Sequence, residues 1–139
     1  MERAARRALD AALSVAGELG LPTADPRMLR RGSSLIVHLR PRPVVARVAL
    51  KTAAVRDGDA WYAREVAVTT FLERAGAPVL APTDLVAPGP HHRDGLVLTF
   101  WPYVEPCPTR VDPEQAGRGL RACHEALEDF TGPLPELLA

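Results

Sequence analysis

The chain has 139 residues, enough for one domain with its own hydrophobic core. Seventeen basic residues balance seventeen acidic ones, so net charge gives no reason to expect binding to nucleic acid or to an anionic membrane. Two cysteines without a CxxC spacing exclude a disulfide framework, and we expect reduced thiols in a cytoplasmic protein. No apolar run approaches the roughly 20 residues of a membrane helix, and the charged N-terminus does not resemble a signal peptide.

The first half of the chain is predicted to form one amphipathic helix and three short strands. Helical spacing of apolar residues predicts the helix over residues 2–19. Runs of β-forming residues predict strands at Pro26–Arg31, Leu35–Leu39 and Val44–Leu50. Because short turns join these strands, we expect an antiparallel meander. The apolar stripe of the helix is predicted at Leu9, Ala12, Leu13 and Ala16.

The second half is predicted to hold two helices and two strands. Asp59 is the predicted N-cap of a helix that runs from about Ala60 to Arg74 and stops at Gly76. The last helix is predicted to open with the residues Asp112-Pro113-Glu114 and to end near residues 131–133. The strands are predicted at Pro82–Val86 and Leu96–Trp101, with a loop over residues 88–95. These elements predict an α+β fold: a five-stranded, mainly antiparallel sheet with a helix between strands three and four and one helix at each end.

Arg47 stands in the middle of an otherwise apolar predicted strand. Because side chains alternate along a strand, Val45, Arg47 and Ala49 share one face, and the opposite face is wholly apolar. A flat apolar ligand with a phosphate would suit the face that carries Arg47. The alternative is that Arg47 points to solvent from a one-sided sheet.

Glu65 is the expected partner of that cation. Trp61, Val68 and Leu72 fall within a narrow arc of the predicted helix, and Glu65 lies just beside it, as does Arg64. A carboxylate near a core-facing stripe is costly unless it is paired. A helical Glu that pairs with a cation on the preceding strand is a recurring way to aim that cation at phosphates.

Taken in order, these segments resemble the N-terminal lobe of the aminoglycoside phosphotransferase and choline kinase-like superfamily, which has a protein-kinase-like fold. The resemblance covers nearly the whole chain and implies an ATP-dependent phosphotransferase that acts on small molecules. The segments that carry it are residues 32–39 (GSSLIVHL), 43–48 (PVVARV), Arg64-Glu65, 98–105 (LTFWPYVE) and 120–127 (LRACHEAL).

The resemblance also implies a role for individual residues in binding ATP. Val45 would contact the adenine, and Arg47, at the position usually held by Lys, would face the phosphates with Glu65 as its ion-pair partner. The turn before the second strand would lie over the phosphates, and the segment after the last strand would be a hinge that meets the adenine edge. The implied nucleotide-binding residues are Ser33, Ser34, Val45, Arg47, Glu65, Trp101, Tyr103 and Val104.

The resemblance divides the chain into residues 1–105, the N-terminal lobe with its hinge, and residues 106–139, the start of the C-terminal lobe. The family's catalytic Asp, its Mg²⁺-binding residues and its site for the hydroxyl acceptor belong to the rest of that lobe. This chain contains no Asn and no Asp after Asp129, so we expect no phosphoryl transfer from it alone and Mg²⁺ only with a complete C-terminal lobe. The apolar face of the last helix is expected to mediate association.

Two other interpretations stay open at this point. A non-catalytic, kinase-like remnant would bind nucleotide weakly, or bind a partner through its last helix. An unrelated hydrolase is the weaker alternative, because neither the serines nor the cysteines stand in a recognisable nucleophile motif. The letters His92-Arg93-Asp94 match a kinase catalytic loop but precede the hinge, which marks them as a coincidence. Two adjacent histidines without a supporting cluster are typical of a solvated loop rather than a metal site.

Overall fold

The structure is a computed structural model that describes residues 2–51 and 58–134. Within these residues it holds three helices and five strands. The helices are α1 (Arg3–Glu18), α2 (Gly58–Arg74) and α3 (Pro113–Leu127). The strands are β1 (Asp25–Arg31), β2 (Ser34–Arg40), β3 (Val44–Ala49), β4 (His91–Arg93) and β5 (Leu96–Pro102).

The strands form one antiparallel sheet in the order β1-β2-β3-β5-β4. The predicted α+β class, the five strands and the helix between strands three and four are therefore confirmed. The chain enters the sheet at one edge as a meander and returns after α2 to add β5 beside β3. This return places β3 at the centre of the sheet, with a neighbour on each side.

The main hydrophobic core lies between α1 and one face of the sheet. Alternating residues of β2, β3 and β5 supply the sheet's side of this core, as the period of two along each strand predicts. The buried helical residues are mostly alanines, with Ala8, Ala12 and Ala16 fully covered, whereas Leu9 and Leu13 are only partly buried. Ala12 and Ala16 of the predicted stripe are therefore confirmed as core residues, whereas Leu9 and Leu13 lie at its margin.

The fourth strand is the main correction to the sequence prediction. Residues 82–86, predicted as a strand, have no strand partner, and Leu85 is exposed while its N–H donates to Thr83 Oγ1 at 3.3 Å. The strand lies instead at His91–Arg93, inside the predicted loop. It pairs with β5 through a two-residue hairpin in which Asp94 (φ 53°) and Gly95 (φ 76°) both adopt positive φ. Such a turn favours Asp-Gly and matches the twist of the strands it joins.

The helix ends differ from the predictions in smaller ways. Gly20 follows the end of α1, and Gly76 follows the end of α2 as predicted. Each has a positive φ of 82°, and its N–H donates to a carbonyl oxygen in the last turn of the helix. Asp112 caps α3 by accepting a hydrogen bond from the Glu114 N–H at 3.0 Å, but the helix already ends at Leu127. Asp59, predicted as an N-cap, lies inside the first turn of α2. Within the described residues no helix is both long enough and apolar enough to cross a membrane.

Replacing Gly89 with alanine is expected to destabilise the fold by about 2 kcal/mol. Gly89 has a φ of 101°, and an added Cβ would lie 2.7 Å from the backbone N of His91 and 2.9 Å from the carbonyl oxygen of Leu98. These neighbours are backbone atoms of the β4–β5 hairpin and cannot move aside cheaply. Urea denaturation followed by circular dichroism measures the change.

Gly117→Ala is the matched control for that substitution. Gly117 lies inside α3 with open space around its added Cβ. Alanine in a helix interior is favoured over glycine by about 0.5–1 kcal/mol, so this variant should be slightly more stable than the parent protein. Equal stability of the two variants would contradict the packing described for Gly89.

Candidate functional site

The second face of the sheet, opposite α1, carries the candidate site. In an antiparallel sheet, paired residues on neighbouring strands point to the same face. The strand register places Arg47 between Ile36 and Thr99, and Val45 between His38 and Trp101. Two rows of side chains therefore cross the centre of this face, and the cation belongs to the row nearer α2.

Arg47 and Glu65 form an ion pair that joins β3 to α2. Arg47 Nη1 donates to Glu65 Oε1 at 2.5 Å and to Oε2 at 2.6 Å, and the side chains are 27% and 31% exposed. Arg47 Nε lies 3.5 Å from Ser34 Oγ. The hydrogen bonds that the described residues form with this guanidinium involve its Nε and Nη1.

Tyr62 supports the guanidinium from one side. Arg47 Cζ lies 4.9 Å from the centre of the Tyr62 ring, within the range of a cation–π contact. Burial raises the pKa of Tyr62, and the positive charge of Arg47 partly offsets this effect. The hydroxyl lies near Ser34, but no described residue meets hydrogen-bond geometry with it. Tyr62 is therefore a neutral, buried support for the cation at neutral pH.

An apolar cavity of about 650 Å³ opens beside this ion pair. A volume of this size lies within the range of small-molecule and cofactor sites. Apolar side chains line most of it, and the polar groups are those of Arg47, Glu65 and Thr69. The complete lining consists of Leu29, Ile36, Val45, Arg47, Glu65, Thr69, Leu80, Trp101, Pro102, Tyr103, Val104 and Pro106.

The rim of the apolar cavity exposes large hydrophobic side chains. Leu29, Leu80 and Val104 are 44%, 52% and 60% exposed, although each lines the cavity. Exposed apolar residues grouped around a concave surface are typical of a binding site, since a ligand removes them from water. The cavity thus has the chemistry of a site for a flat, mainly apolar group.

Two aromatic residues are held in fixed positions at the apolar cavity. The Tyr103 ring stacks on His38 with the ring centres 3.8 Å apart and the planes 7° from parallel. His38 is held in turn by a contact between its Nε2 and the Arg42 carbonyl oxygen at 3.0 Å. Trp101 Nε1 donates to the buried Thr99 Oγ1 at 2.9 Å. Both aromatic faces are therefore ordered before any ligand arrives.

The segment predicted as a hinge, residues 101–104, does not have a free backbone N–H at every position. The Tyr103 N–H donates to the Pro43 carbonyl oxygen at 2.9 Å, and Pro102 has no N–H to offer. The Val104 N–H has no backbone partner among the described residues. The Tyr103 N–H is therefore already used by the sheet, although Tyr103 and Val104 both line the apolar cavity.

The structure brings together six of the eight residues predicted to bind a nucleotide. Val45, Arg47, Glu65, Trp101, Tyr103 and Val104 all line the apolar cavity. Ser34 contacts the cavity only through Arg47, and the Ser33 carbonyl accepts the N–H groups of Leu50 and Lys51. The turn at residues 32–34 therefore connects β1 to β2 and holds the chain just after β3 in this structure.

No metal site emerges from the described residues. They contain no group of three or more His, Cys, Asp or Glu side chains that could hold an ion. His92 lies in β4 with its Nε2 2.9 Å from Asp59 Oδ1, and Arg93 bonds Ser14 and Glu18 of α1. This segment ties the hairpin to two helices, and it lies outside the apolar cavity.

Cys107 is expected to react with iodoacetamide faster than Cys123. The Thr109 hydroxyl lies 2.8 Å from Cys107 Sγ and lowers the pKa of this exposed thiol, which increases its thiolate fraction near neutral pH. Cys123 lies half-buried on α3. Timed alkylation followed by peptide mass spectrometry compares the two sites, and Thr109→Val should slow Cys107 alone. Faster labelling of Cys123 would contradict this expectation.

Comparisons with known proteins do not identify a family. No protein-family model matches the chain, and neither a curated protein nor a solved structure matches it significantly. The functional conclusion therefore rests on the geometry and chemistry of the described residues.

Proposed function

We propose that this chain binds ATP in the apolar cavity, as the nucleotide-binding lobe of a phosphotransferase that acts on small molecules. The observation that carries the proposal is a paired cation, Arg47, in the lining of an apolar cavity that also contains ordered aromatic residues. A nucleotide has the two features that such a site would bind: a flat, mainly apolar base and an anionic phosphate tail.

The apolar part of the cavity suits a purine base. Val45 and Ile36 supply an apolar surface on the sheet, and Tyr103 and Trp101 supply aromatic groups at one end. Rigid aromatic surfaces gain contact area with a base at little entropic cost. Val104 lines the same cavity, and its N–H is the backbone donor that we expect to bond a ring nitrogen.

The polar end suits a phosphate. Glu65 accepts hydrogen bonds from Nη1 of Arg47, and the Tyr62 ring lies beside the guanidinium, so the cation is held in a fixed position. A charge-assisted hydrogen bond from a prepositioned guanidinium is stronger than a neutral one. The same ion pair joins α2 to the sheet, so a ligand at Arg47 would contact a side chain that both elements hold.

Isothermal titration calorimetry with ATP tests the proposal. The expected result is saturable binding with one site per chain and competition by adenosine, which shares the base but has no charge. Arg40→Ala is a suitable control, because Arg40 also pairs with an acid, Asp25, at 2.7 Å but does not line the cavity. Absence of heat at millimolar ATP, or binding without competition by adenosine, would contradict the proposed site.

A non-catalytic, partner-binding module is the second candidate. The observation in its favour is α3, which is amphipathic in sequence yet buries none of its residues fully, and Leu120 on this helix is exposed. Sedimentation velocity of the isolated chain distinguishes the two proposals. A stable monomer that binds ATP supports the first, whereas concentration-dependent association abolished by Leu120→Glu, without ATP binding, supports the second.

A further inference from the structure

A second, smaller cavity of about 340 Å³ lies on the α2 side of the ion pair. Arg47, Trp61, Arg64, Glu65 and Val68 line it. Arg47 and Glu65 line the apolar cavity as well, so the two cavities meet at the ion pair. A ligand whose base fills the apolar cavity would extend past Arg47 into the small cavity.

The charge of the small cavity is not balanced by its own residues. It contains two guanidinium groups and one carboxylate. Both oxygens of that carboxylate accept hydrogen bonds from Arg47 Nη1. The positive charge of Arg64 therefore remains without a counter-charge at the site.

Arg64 also has an unsatisfied donor. Its Nε is buried and has no hydrogen-bond partner, and none of the other described residues forms an ion pair with its guanidinium. A buried donor without a partner costs free energy, and a donor on a charged group costs more than a neutral one. Arg64 lines the small cavity, so its positive charge lies where an anion in that cavity would balance it.

We propose that the small cavity is a phosphate subsite and that Arg64 binds the terminal phosphates of the nucleotide. This inference rests on the proposed nucleotide function and assigns a second cation to the same ligand. Arg47 contacts the phosphate next to the nucleoside, and Arg64 contacts the phosphates beyond it. The site thus discriminates nucleotides by the number of their phosphates.

The test compares adenosine, ADP and ATP as ligands of the parent chain and of Arg64→Gln, by calorimetry in magnesium-free buffer. We expect the affinity of the parent chain to rise from adenosine to ADP to ATP. In Arg64→Gln the affinity for ATP should fall about tenfold, the loss expected for one charge-assisted hydrogen bond. The affinity for adenosine should change less than about twofold, because the base site is untouched.

Two further variants make the result specific. Arg64→Lys keeps the charge and should retain most of the preference for ATP over adenosine. Arg74→Gln removes an exposed cation from the last turn of the same helix and should leave all three affinities unchanged. Thermal melting of each variant verifies that it is folded.

The outcomes separate this inference from the proposed function. If Arg64→Gln binds ATP as tightly as the parent chain, the phosphate subsite is wrong and the nucleotide site stands. If Arg64→Gln weakens adenosine and ATP equally, Arg64 acts only on the structure of the site, and the subsite is again wrong. If the parent chain binds none of the three ligands, both proposals fail together.

Discussion

Replacing Arg47 with alanine is expected to weaken ATP binding by about 10- to 100-fold, the value of one or two charge-assisted hydrogen bonds to phosphate. The substitution removes the cation at the junction of the two cavities. It also leaves Glu65 as an unpaired, half-buried carboxylate that repels the phosphates. Calorimetry with ATP and with adenosine measures the loss, which should be much smaller for the uncharged ligand.

A double-mutant cycle separates the two causes of that loss. When Arg47→Ala is combined with Glu65→Gln, the unpaired carboxylate of Glu65 is removed. The double variant should therefore bind ATP more tightly than Arg47→Ala alone. Glu65→Gln by itself should weaken ATP binding less than Arg47→Ala, because the cation remains but is less firmly held. If Arg47→Ala binds ATP as well as the Arg40→Ala control does, Arg47 does not face the ligand.

Replacing Phe100 with alanine is expected to destabilise the fold by about 3–5 kcal/mol. Phe100 is fully buried in β5, packs in the core beneath α1, and meets the His91 ring edge-on at 5.3 Å between ring centres. The loss is a large share of the roughly 5–15 kcal/mol that stabilises a typical domain. Urea denaturation followed by circular dichroism measures it.

Leu85→Ala is the control for the core substitution, because Leu85 is exposed and lies in the segment without strand partners. Its cost should stay within about 0.5 kcal/mol. The same Phe100→Ala sample reports on the site, since the neighbouring Trp101 lines the apolar cavity and is hydrogen-bonded to Thr99. A loss below about 1 kcal/mol would contradict the fully buried position described for Phe100.

Much of the sheet could be predicted because its inner strands obey the period of two. The predicted strands Leu35–Leu39 and Val44–Leu50 correspond to β2 and β3, and Leu96–Trp101 corresponds to β5. The fourth strand was missed because it has only three residues within a segment rich in Pro and Gly. Its one local signal was Asp94-Gly95, a pair typical of a tight hairpin. Residues 82–86 have β-forming character but face no strand, and only the tertiary structure reveals that.

The ion pair could be predicted, but most of the apolar cavity could not. Arg47 within an apolar strand and Glu65 beside an apolar helical stripe each require a partner, and the strand–helix order makes them neighbours. The sequence does not predict that Leu29 and Leu80 line a cavity, because isolated apolar residues in exposed segments have many structural roles. Ile36 and Thr69 reach the cavity through the strand register and through the way α2 packs on the sheet. The sequence places Arg64 beside the apolar stripe of α2, but only the structure shows that its Nε is buried and has no hydrogen-bond partner.

The most direct test of nucleotide binding at this site is to map it by NMR. Two-dimensional amide spectra of the ¹⁵N-labelled chain, recorded during an ATP titration, report which residues sense the ligand. We expect the largest saturable shifts at Val45, Arg47 and Val104 and in the Trp101 indole signal, with Arg64 affected by ATP but not by adenosine. Shifts confined to residues outside the two cavities, such as the α3 segment around Cys123, or no saturable shifts at all, would contradict the account.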